Sequence, residues 1–174
     1  MNNKEIINYI WSISNFYGNT LVNIFDISEN YPLEATSLLF TQLESIARNV
    51  VNNFEDKTIE IYNKLFKEGY LDKNEFEFLN DNNFSIRIIR NKLLHKNISK
   101  YNFISIENDQ EILYPFNEES TWKNFITIYS NPLLKICYNL LCNDLLGFSK
   151  LETFADFRPS FIRIKTLKPE EIMC

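Results

Sequence analysis

Apolar residues recur along this chain at three- and four-residue intervals, the signature of helices that bury one face. The clearest stripe is Ala35, Leu39, Leu43, Ile46, Val50 and Phe54, stepping by four, four, three, four and four after Pro32. Proline fits the first turn of a helix, where its missing N–H is not needed, so the spacing predicts a long core helix over 32–54. Ile6, Ile10, Ile13 and Tyr17 mark an earlier helix that stops near Gly18, and Ile61 with Leu65 marks a later one ending at Gly69. The stretch 73–96 divides at the polar run Asn80-Asp81-Asn82-Asn83. Asn83 or Ser85 can cap the second piece, whose buried side is Ile86, Ile89 and Leu93.

The period then changes. Phe103 to Ile106, a polar Glu107-Asn108-Asp109-Gln110 turn, and Ile112 to Tyr114 before Pro115 predict a small β-hairpin over about 102–115. Helical spacing resumes with Trp122, Phe125 or Ile126, and Tyr129, and continues through Leu133, Ile136 and Leu140. Between those sets, Asn131-Pro132 predicts a kink or a fresh start capped by Asn131. After Gly147 the pattern decays into an aromatic and basic tail, where Phe161-Ile162-Arg163-Ile164 reads as a short strand or a partner-facing segment. The expectation is an all-α, antiparallel helical bundle over 1–147 with a hairpin insertion, followed by an extension over 148–174.

Composition narrows this picture. A chain of 174 residues is expected to form one domain with a sizeable core. Fifteen Phe and nine Tyr supply much of that core, with some aromatics left for a subunit interface. No run approaches a membrane span and the N-terminal residues lead into no secretory apolar block, so a cytoplasmic location is expected. Cys137, Cys142 and Cys174 lack metal-site spacing and one histidine cannot complete a zinc cage, so neither metal nor cofactor is expected.

A net charge of −5 argues against sequence-blind nucleic-acid binding over the whole surface. Its distribution says more. Between Asp81 and Glu107 there is no acidic residue, yet Arg87, Arg90, Lys92, Lys96 and Lys100 all fall there, together with the only histidine, His95. An imidazole that exchanges a proton near neutral pH beside guanidinium groups that hold phosphate by paired hydrogen bonds points to chemistry on a phosphodiester. On an ideal helix Asn91 and His95 share a face one turn apart, whereas Arg90 lies ~140° round from His95. Arg87 is placed to join Arg90 in holding phosphate. Glu44, on the long core helix, either braces one of these two arginines or is exposed.

Cleavage of RNA by its own 2′-hydroxyl benefits from a base, an acid and cations for the developing charge. One chain offers one imidazole; a two-fold dimer with His95 near its axis would offer two.

The run Arg90-Asn91-Lys92-Leu93-Leu94-His95 resembles the Arg-x4-6-His signature of HEPN domains, a helical-bundle superfamily rich in toxin, abortive-infection and CRISPR-associated ribonucleases. The preceding long helix with Glu44 and Arg48, and the bundle over 1–147, are similar to that family too. The resemblance implies a homodimer with facing signatures and metal-independent endonucleolytic cleavage that leaves a cyclic phosphate. It implies catalytic roles for Arg90 and His95, with Asn91 orienting the histidine or the phosphate; Arg87 and Lys96, read from the basic run itself, are the further candidates for binding RNA, with a solvated position as the alternative for Lys96. A cognate antitoxin or other defence partner is implied as well. Some such toxins carry a tyrosine two residues after the histidine as the antitoxin's target; Asn97 stands there in this chain. Two other readings of the same residues remain: a non-catalytic module binding nucleotide, RNA or protein, and a phosphotransfer helix using His95.

Overall fold

The computed structural model describes residues 1–95, 97–142, 148–155, 157 and 161–172, leaving the side chains of His95, Pro169 and Ile172 outside the description. Helices α1 (Asn3–Ile13), α2 (Asn15–Ile27), α3 (Pro32–Val50), α4 (Thr58–Lys67), α5 (Lys73–Asn80) and α6 (Ile86–His95) precede a hairpin of β1 (Tyr101–Glu107) and β2 (Gln110–Pro115). Helix α7 (Glu119–Cys142) and strand β3 (Arg163–Thr166) follow, and the described chain closes with a helical turn, Pro169–Ile172. The protein is mostly helical with a small three-stranded antiparallel sheet.

Helix α3 lies at the centre, packed against α2, α4, α6 and α7. Ala35, Leu39, Leu43 and Ile46 of its stripe are buried as expected, but the helix stops at Val50 rather than Phe54. Asn52 takes a positive φ of 48°, and the amides of Asn52 and Asn53 turn back to the carbonyls of Asn49 and Arg48, a left-handed cap that ends the helix and leaves Phe54 exposed. Gly69 ends α4 by the same geometry, with φ 79° and the Tyr70 amide donating to the Leu65 carbonyl.

Gly18 does not end the first helix. Ser14, in extended conformation, closes α1 and caps α2 through its hydroxyl, and Gly18 lies inside α2. A Cβ at position 18 would come within 2.5 Å of the Trp11 Cα, so glycine is needed there for close approach between the two helices. Pro132 likewise starts nothing: α7 runs through it, and the Asn131 side chain donates to the Met1 carbonyl and to Asn3 Oδ1.

The hairpin turns on two residues, Asn108 and Asp109, both at positive φ, a loop whose twist matches the flanking strands. Strand β3 pairs antiparallel with the other edge of β1, giving the order β2-β1-β3, so 163–166 is a strand of this fold rather than a partner-facing segment. Phe161, just before it, is buried and stacks on Phe103 with ring centroids 4.6 Å apart. Phe116, Trp122, Phe125 and Tyr129 complete this aromatic core, with Trp122 Nε1 donating to the Phe116 carbonyl at 2.7 Å. Nearer the start of the tail, buried Glu75 accepts from Thr153 Oγ1 (2.6 Å) and Asn139 Nδ2 (3.1 Å). The segment after 147 is thereby tied to α5 and α7 as well as to the sheet.

Candidate functional site

Helices α3 and α6 meet at a carboxylate shared by two arginines. Glu44 faces inward from α3 with 12% of its side chain exposed. Its Oε1 accepts from Arg48 Nε (3.0 Å) and Nη2 (2.7 Å), one turn further along α3, and from Thr58 Oγ1 (2.9 Å) at the start of α4. Its Oε2 lies 2.9 Å from Arg90 Nη2 of α6. Of the alternatives open for Glu44, the structure selects bracing, and the braced residue is Arg90. Arg48 is consumed by this role, because its Nη1 also donates to the Asp56 (2.8 Å) and Phe54 (3.3 Å) carbonyls and so fastens the α3–α4 loop.

Arg90 Nη1 donates to Asn91 Oδ1 at 3.3 Å, while its Nε is buried with no hydrogen-bond partner among the described residues. One turn earlier, Arg87 Nε donates to Asn80 Oδ1 at 2.6 Å. Asn80 closes α5, so the polar break between α5 and α6 sets the direction of this guanidinium. Asp81 keeps the same connection in shape: its Oδ1 accepts from the amides of Asn83 (2.6 Å) and Phe84 (3.2 Å), and these bonds hold its carboxyl below the usual carboxylate range.

Arg87, Arg90 and Asn91 all line one open cleft of about 540 Å³, with Glu44 and Arg48 of α3 and Lys57, Thr58 and Ile59 at the start of α4. Three of the five site residues expected from sequence are thus brought together. The backbone of His95 forms the last position of α6, one turn after Asn91. Its side chain, and Lys96 altogether, lie outside the described residues. Lys92 is directed elsewhere, with Nζ 4.0 Å from the centroid of the Tyr101 ring.

In space the basic segment is not free of acid, because Glu44 arrives from a different helix. Beneath the site, the buried phenol of Tyr62 is held well above its ordinary range, first by burial and then by the nearby Glu44 charge. Sequence spacing shows Glu44 and Arg48 as an i, i+4 pair, but nothing in it marks Lys57 or Thr58 as neighbours of α6. Among the described residues, no three His, Cys, Asp or Glu side chains converge as a metal site, and no helix is long and apolar enough to cross a membrane. Comparison of the chain with protein-family models, with curated proteins and with solved structures finds no match.

Proposed function

We propose that this protein is a metal-independent endoribonuclease of HEPN type that acts as a homodimer, in the role of a toxin or antiphage effector. One observation carries the reading: Arg87, Arg90 and Asn91 line a single cleft, with Arg90 oriented from a neighbouring helix by Glu44. Cations fixed before substrate arrives are what a developing phosphorane charge requires. In the proposed reaction the ribose 2′-oxygen attacks the adjacent phosphorus as one His95 imidazole takes the hydroxyl proton. The P–O5′ bond breaks as the second subunit's imidazole protonates the leaving oxygen, and the products are a 2′,3′-cyclic phosphate and a 5′-hydroxyl. Arg90 stabilises the charge on the non-bridging oxygens, and Asn91 orients the phosphate or the histidine one turn away.

The test is cleavage of single-stranded RNA in EDTA. The wild-type chain cuts, and His95→Ala abolishes cutting while leaving circular dichroism and oligomeric state unchanged. Cutting that survives the substitution overturns the assignment. Binding without turnover is the second reading. The Glu44–Arg90 pair favours it, since a guanidinium already facing a carboxylate presents less net charge to a transition state.

A further inference from the structure

The charges lining the cleft do not cancel evenly. Glu44 is the one carboxylate among the described lining residues, and it faces Arg48 and Arg90 together. The remaining cations of the lining are Arg87 on the α6 side and Lys57 on the α4 side. Among the described residues Arg87 commits only its Nε, to Asn80, and both terminal nitrogens of its guanidinium retain their donors. Lys57 is exposed, and its ammonium makes no hydrogen bond or ion pair among the described residues. Its acidic sequence neighbours Glu55, Asp56 and Glu60 do not line the cleft.

From this imbalance we infer that Arg87 and Lys57 form a phosphate subsite separate from Arg90, holding a backbone phosphate of a single-stranded RNA that crosses the cleft from α6 to α4. The inference rests on RNA being the ligand of this cleft, and it adds where the strand runs. Arg90, locked to Glu44, serves the phosphate at α6; Lys57 and the free end of the Arg87 guanidinium take a neighbouring one. A fork-shaped guanidinium on one wall and a flexible ammonium on the other suit a phosphate whose position varies with sequence. The subsite therefore contributes affinity and strand direction rather than base preference.

Fluorescence anisotropy with a labelled 2′-O-methyl RNA decamer measures this on the intact protein, because the probe has no 2′-hydroxyl to attack and stays whole whether or not the protein is a nuclease. Lys57→Met raises Kd about three- to tenfold and lowers the magnitude of the slope of log K against log salt by about 0.7, the mark of one lost phosphate contact on a single strand. Lys57→Glu has a larger effect in the same direction. Lys67→Met, an exposed lysine at the far end of α4, leaves both quantities at wild-type values. Wild-type Kd and salt slope in both Lys57 variants overturn the subsite, as does a wild-type protein that does not bind the decamer. Weakened binding by the Lys57 variants of a protein that never cleaves ordinary RNA keeps the subsite and removes the nuclease reading. Undiminished binding with intact cleavage does the reverse.

Discussion

Glu44 Oε2 lies 2.9 Å from Arg90 Nη2 across the contact between α3 and α6, while the other oxygen of the same carboxylate takes two hydrogen bonds from Arg48. Two arginines on different helices are thus tied through one acid, and the position of Arg90 depends on a residue 46 places earlier in the chain. Removing that acid leaves two poorly solvated cations side by side. Glu44→Ala should cost about 3 kcal/mol in urea denaturation. A double-mutant cycle with Arg90→Ala should return a coupling of at least about 1 kcal/mol, whereas additive effects would show that the pair contributes only proximity.

Arg90→Lys separates charge from shape. A lysine keeps the positive charge near Glu44 but cannot reach both Glu44 and Asn91 with a planar fork. Under the proposed function, single-turnover cleavage of RNA should fall by roughly 100-fold or more while the melting temperature changes little. A lysine variant that cleaves as fast as wild type would show that charge alone suffices.

Gly18→Ala tests the α1–α2 approach. Alanine inside a helix is ordinarily favoured over glycine by about 1 kcal/mol. Here its Cβ meets the Trp11 backbone at 2.5 Å, so the sign should reverse and the variant should lose about 2 kcal/mol. A gain in melting temperature would mean that the helices separate freely.

Alkaline conditions should unfold the protein early. Burial pushes the Cys137 thiol up to about 12 and also raises the phenols of Tyr62 and Tyr129. Because these folded-state values exceed the unfolded ones, about 8.5 for a thiol and 10 for a phenol, the unfolded chain releases its protons first. The associated stability is complete below about pH 8.5 and declines as pH climbs towards 12. Urea midpoints at pH 7, 9 and 10.5 should fall in that order, and Cys137→Ala should flatten the step between the first two. A constant midpoint would contradict the burial of these groups.

Phe161→Ala should cost about 3–4 kcal/mol, since its ring fills the space between Phe103, Tyr114 and Phe125. Deleting everything after residue 147 should do more, abolishing the near-ultraviolet circular dichroism of the aromatic core. A truncated chain with native spectra would mean that the bundle closes without its tail.

The helices were legible wherever one apolar stripe faced one core, as in α3, α4 and α6, and the hairpin was legible from its change of period. Errors arose where a residue usually read as punctuation had another task. Gly18 admits Trp11, Pro132 rides inside α7, and Asn52, which carried no expectation, ends α3 by taking a left-handed conformation. At the site, the α6 residues could be read from their own segment. Their partners could not, because the placing of Lys57 and Thr58 on the same cleft as a helix thirty residues later leaves no periodic trace. Glu44 fell between these cases: its place on the core helix was readable, its choice of Arg90 over Arg87 was not.

The pairing of β3 with β1, and the seating of Phe161 against Phe103, carry a consequence for the order in which the protein can be made. The ring that seals the core is encoded some sixty residues after the ring it covers. While that late segment is still inside the ribosomal tunnel, the sheet lacks one edge and Phe103 lacks its cover. Assembly of the native sheet and its aromatic core therefore waits until the segment 161–166 has left the tunnel, and until then the face of Phe103 that Phe161 covers stays open.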